Sequence, residues 1–113
     1  MTAAEKEFFD RLVQLVDENI ANCELSSEIL SERFCITARH FNRKVRAITE
    51  MDTTHFIRKR RMALACNLLT QTALPISEIY IRCGLDSANY FSRVFKMEMG
   101  QSPTSYRKTN SQL

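Results

Sequence analysis

Two glycines, two prolines, two histidines and four cysteines are all that this 113-residue chain holds of the residues that break helices or most often bind metals. Gly84, Gly100, Pro75 and Pro103 all lie beyond residue 74, so the long stretch before them lacks the strongest breakers. Cys23, Cys35, Cys66 and Cys83 form no C-x-x-C pair, and only His40 and His55 could join them, which argues against a zinc site. Each cysteine falls in an apolar helical pattern and is expected as a reduced, buried thiol. No apolar run approaches the roughly 20 residues of a membrane span. "MTAAEKEFFDRL" also lacks the basic and apolar regions of a secretory signal, so a soluble cytoplasmic protein without membrane contact is expected. Equally absent are a Ser, His and acid grouping, a glycine-rich phosphate loop and a metal cluster; neither an enzyme nor a cofactor is expected.

Charge is unevenly spread. Residues 1–35 carry three cations against eight acids, whereas residues 36–113 carry thirteen against five. An acidic leader before a basic remainder points to a polyanion as partner of the latter.

Apolar spacing is helical throughout, and no segment alternates with period two, so the fold expected is all-α with about seven helices. Phe8, Leu12, Val16 and Ile20 mark a first helix over about 4–21, with Glu5, Asp10, Asp17 and Glu18 on its polar side. Ser26 can cap a short second helix over about 27–34, and Thr37 a third containing Phe41, Val45 and Ile48. Residues 54–71 read as one long helix of about 27 Å, burying Phe56, Ile57, Leu64, Ala65, Leu68 and Leu69. Pro75 opens a fifth helix, with Ile76, Ile79 and Tyr80 inward, that Gly84 ends; Ser87 caps a sixth that Gly100 ends; Ser102 and Pro103 start a seventh. The second and third helices, short and joined by about three residues, form a helix-turn-helix candidate.

Helices three and six repeat a pattern. Ala38, Phe41 and Arg43 recur fifty positions later as Ala88, Phe91 and Arg93. Arg39, Asn42, Arg43 and Arg46 stand at i, i+3, i+4 and i+7, and Asn89, Ser92, Arg93 and Lys96 keep that spacing, so each set forms one polar stripe. Tyr90, Phe91 and Phe95 are expected in the core behind the second stripe. Such a stripe suits the major groove of double-stranded DNA, where arginine bonds guanine, asparagine bonds adenine and outer cations meet phosphate. Thr37 and Ser87, at the helix starts, would leave backbone N–H groups for phosphates. Arg46, Ser92 and Lys96 are the other phosphate candidates.

These residues resemble the DNA-binding domain of AraC/XylS-type bacterial transcription regulators over about residues 8–108. "ISEIYIRCGLDSANYFSRVFKMEMGQSPTSYRK" looks like that family's second helix-turn-helix with its following signature, and "FIRKRRMALACNLL" like its linker helix. The resemblance implies a first helix-turn-helix subdomain over 4–52, a linker helix over 53–72 and a second helix-turn-helix subdomain over 75–109, with one reading helix per subdomain: Arg39, Asn42 and Arg43 as base readers in the first and Ala88, Asn89 and Arg93 in the second. This chain departs from the pattern where Cys35 and Glu50 replace glycines, Leu85 replaces phenylalanine and Tyr80 replaces a small residue. The pattern also gives the second turn one extra residue. The leader is similar to the segment preceding this module in hybrid two-component sensor-regulators, which implies an output domain whose sensor and oligomerising parts lie elsewhere; a short free-standing regulator is the alternative. A helical protein-interaction module, docking a partner such as RNA polymerase through the acidic first helix, is the reading of a different class. DNA binding that survives removal of residues 1–20 but fails with Arg43 and Arg93 removed is the expected discriminator.

Overall fold

The computed structural model describes all residues, 1–113, and every regular element is helical: α1 (Ala3–Glu18), α2 (Ser27–Arg33), α3 (Ala38–Thr49), α4 (Thr53–Gln71), α5 (Ile76–Arg82), α6 (Ala88–Met99) and α7 (Pro103–Asn110). Most starts are fixed by a side-chain oxygen that accepts a backbone N–H left orphaned by the first turn. Thr2 and Glu5 form a reciprocal capping box on α1. The hydroxyl oxygens of Ser26, Thr37, Ser87 and Ser102 accept from Ile29, His40, Tyr90 and Ser105 at 3.4, 3.1, 3.1 and 3.1 Å. Asp52 accepts from His55 at 2.8 Å as α4 begins. α1 ends earlier than its apolar pattern suggests, because the Asn19 amide donates to the Leu15 carbonyl at 2.8 Å and the chain turns there.

The chain divides into two compact units, Met1–Arg60 and Arg61–Leu113, and the division falls inside α4. The first unit packs Phe8, Leu12 and Val16 of α1 with Leu30, Phe41, Val45, Phe56 and Ile57. α1 is therefore core-forming, and removing residues 1–20 would strip three buried side chains instead of a detachable leader. Its polar side also ties down: Asp17 takes a two-pronged contact from Arg60, 3.0 Å from Nε and 2.7 Å from the other nitrogen, which raises the Arg60 pKa. Arg11 donates to the Arg33 carbonyl at 2.6 Å and lies over the Phe34 ring.

The second unit packs Met62, Ala65 and Leu69 with Ile79, Cys83, Phe91, Val94 and Phe95. Leu64 and Leu68 are only partly buried, and Met62, which the sequence pattern did not single out, is fully enclosed. Carbonyls at the end of α4 and just beyond it are satisfied from α7 and the tail: Arg107 donates to Leu69 and to Thr72, the residue after the helix, and the Gln112 backbone to Thr70 at 2.9 Å.

Two further expectations are corrected. Cys23 and Cys35 are exposed, because both sit in turns outside the helical stripes; only Cys83 is buried, where loss of solvent pushes its thiol up to about 12. Tyr90 is exposed at 38%, not in the core. Three residues after Phe91, Val94 fills the inward row that Tyr90 was expected to fill, and Tyr90 falls at the border of the polar stripe.

Candidate nucleic-acid interface

Each unit presents one helix-turn-helix whose turn demands a left-handed residue. After α2 that residue is Cys35, with φ 56°; after α5 it is Gly84, with φ 80°. In both, the next residue's N–H reaches back to a carbonyl of the preceding helix, Ile36 to Ser31 at 3.3 Å and Leu85 to Tyr80 at 3.0 Å, closing the helix end. One residue then separates Cys35 from capping Thr37, and two separate Gly84 from Ser87, so the second turn does carry the additional residue.

The caps launch α3 and α6 with matching inward rows. Phe41 and Val45 on α3, and Phe91 and Phe95 on α6, are fully buried. Arg39, Arg43 and Arg46 are thereby turned to solvent, as are Ala88, Asn89, Ser92, Arg93 and Lys96. The ion pairs Lys6–Asp10, Arg60–Asp17 and Arg82–Glu78 leave these cations out. Arg93 instead rests its guanidinium 5.5 Å from the centroid of the Tyr90 ring. That contact orients the arginine while leaving its donors to solvent. Tyr90 is the side chain that periodicity missed; its position three residues before Arg93 was the available signal.

Thr37 is exposed and Ser87 half-buried. Each oxygen is engaged as a cap, yet each hydroxyl hydrogen remains to donate. Asn42 differs from its neighbours. It is exposed, but its side-chain oxygen accepts from the Thr53 hydroxyl at 2.7 Å, and its amide nitrogen lies 3.5 Å from the Ser27 hydroxyl.

Chemically, each helix offers guanidinium and amide or ammonium donors in a row, flanked by a capped N-terminus, with no nucleophile and base in partnership. Such a row hydrogen-bonds base edges and neutralises phosphates. No helix is long and apolar enough to cross a membrane.

A family model described as a helix-turn-helix domain matches residues 30–109. Among curated proteins, the chain is 36% identical over 87 residues to the HTH-type transcriptional activator RhaR of Enterobacter sp. (strain 638), covering 74% of this chain and 31% of that protein. RhaR of Salmonella typhimurium is 29% identical over 96% of this chain and 38% of its own. The chain thus spans about a third of the length of these relatives. Among solved structures, the C-terminal domain of AraT, a response regulator from Geobacillus stearothermophilus, matches with TM-score 0.84 and 33% identity over 90% of this chain and 84% of that one. The DNA-binding domain of AdpA, a global transcriptional factor solved in complex with a target DNA, matches with TM-score 0.81 and 25% identity over 88% and 89%.

Proposed function

From the premise that this chain belongs to the AraC/XylS-type helix-turn-helix family, the DNA-binding domains of transcription regulators and not enzymes, we propose that it reads a specific double-stranded DNA site with α3 and α6. The observation that carries this reading is the doubled stripe: Arg39, Arg43 and Arg46 on one capped helix, and Asn89, Arg93 and Lys96 on the other, all solvent-facing. Arg39, Arg43, Asn89 and Arg93 are the base readers, and Ala88 can offer its methyl to thymine. Arg46, Lys96 and Ser92, with the helix starts at Thr37 and Ser87, hold phosphates and fix register. Affinity then rests largely on counterion release and falls steeply with salt.

The finer reading is that of an output domain in a cytoplasmic two-component signalling protein. It is supported by the likeness to a response regulator's C-terminal domain. Signal reception, and dimerisation if it occurs, then belong to other parts of the protein.

Selection of bound sequences from a random duplex library tests the proposal. Two short preferred blocks, about one helical turn or 34–36 Å apart, are expected. Recovery of unselected sequence at low salt, with all binding lost at physiological salt, refutes sequence reading.

A further inference from the structure

Asn42 belongs by spacing to the reading stripe of α3, yet its carboxamide is held by the neighbouring helices. Thr53, the first residue of α4 and only 4% exposed, donates its hydroxyl hydrogen to Asn42 Oδ1 at 2.7 Å. Asn42 Nδ2 lies toward Ser27 Oγ, the first residue of α2, at 3.5 Å, the outer edge of hydrogen bonding. One side chain thus ties the middle of α3 to the starts of both helices that flank it.

Reading adenine takes both ends of an asparagine amide, Nδ2–H toward N7 and Oδ1 toward the N6 amino group. To do so here, Asn42 must either read with the one lone pair and the remaining N–H that these contacts leave, in the amide plane they fix, or swing toward the base and leave the buried Thr53 hydroxyl without a partner, a costly exchange. The second unit is built otherwise: Ser92 holds the matching place in the stripe, and the helix after it, α7, begins with Pro103, which has neither hydroxyl nor N–H.

We infer that Asn42 is a positioning residue that clamps α3 between α2 and α4, so that base reading by the first unit falls to Arg39 and Arg43. This rests on the DNA-reading proposal above. The clamp presets the direction of the α3 stripe, and its loss leaves ordering of α3 to be completed during binding, at the expense of affinity for every sequence alike.

The test uses the full chain and duplexes selected by the wild type. Three variants are compared under conditions where circular dichroism shows each fully folded: Asn42→Ala, Thr53→Val, which keeps shape and removes the hydroxyl, and Thr53→Ser, which restores it. The first two are expected to weaken binding by about three- to tenfold each, the scale of one net hydrogen bond, with the base-preference profile unchanged. The double variant should be no weaker than either single one, and Thr53→Ser should bind as the wild type. A relaxed preference at one base step in Asn42→Ala overturns the inference, as do losses that multiply in the double variant. Because Asn42 is exposed, its replacement by alanine opens no cavity in the core, and its preference profile decides the matter even if Thr53→Val unfolds. A wild type that selects no sequence brings down the DNA-reading proposal itself, an outcome distinct from the others.

Discussion

The first unit spends two non-glycine residues on left-handed backbone, Cys35 at φ 56° and Glu50 at φ 61°, where the second uses Gly84 and Gly100, both at φ 80°. It also roofs its helix pair differently: Lys44 extends its ammonium over the Phe8 ring of α1 at 4.7 Å, whereas at the same depth of α6 Val94 is buried. Despite these differences, the cationic stripe emerges from both in one pattern. Turn chemistry and core filling can therefore drift while the reading face persists, because that face depends only on a capped start and on two inward aromatic or β-branched anchors four residues apart.

The largest expected effect tests whether the two cores are comparably essential. Phe41 packs 6.0 Å from Phe8 and 5.4 Å from Phe34 by ring centroids, and Phe91 lies 6.2 Å from Tyr80 and 5.7 Å from Phe95. Phe41→Ala and Phe91→Ala should each cost about 3–5 kcal/mol, measured by urea unfolding. Hydrogen exchange should show the loss concentrated in the unit that carries the substitution. An unchanged midpoint for either would contradict its burial.

Smaller effects are expected at the stripes. Arg43→Ala and Arg93→Ala should each cost about 1–3 kcal/mol of binding and relax preference at one base step. Lys96→Ala should weaken all duplexes alike and reduce the salt slope by about one. Equal losses on selected and random DNA for both arginines would mean that neither stripe reads bases. If only Arg93 behaves as a reader, the comparison sharpens: the ring of Tyr90 beneath it, where the first unit has His40, becomes the distinguishing support.

What could be read in advance follows from how local each interaction is. The caps at Ser26, Thr37, Ser87 and Ser102 obey a rule spanning four residues, and all four hold. Tyr90 was misplaced because spacing fixes the centre of an apolar row and leaves its borders open: an aromatic beside Phe91 could turn either way, and Val94 took the inward place. Met62, hedged by cations in "RKRRM", nonetheless stands three, four and seven residues before Ala65, Cys66 and Leu69, so its burial against Ile79 and Cys83 was legible in the spacing and was passed over. The Asn42–Thr53 contact joins residues eleven apart across a turn, a relation set by the approach of α3 to α4 and written in neither helix alone.

The smallest predicted effect addresses the turns themselves. A residue with a Cβ in the left-handed region gives up roughly 1–2 kcal/mol, and glycine returns part of that through the greater freedom it loses on folding, roughly 0.5–1 kcal/mol. Cys35→Gly and Glu50→Gly should therefore each raise stability by about 0.5–1 kcal/mol, seen as a small rise in Tm without change in duplex preference. Gly100→Ala is the mirror test. A Cβ built there meets no atom within 4 Å, so with no clash the net cost, about 0.5–1 kcal/mol, is the backbone-angle penalty less the freedom glycine no longer loses. Gain in the first unit and loss in the second would show that both turns obey one conformational rule, met with different residues. A loss on Cys35→Gly would instead mean that the cysteine side chain contributes more to the first turn than its left-handed backbone costs.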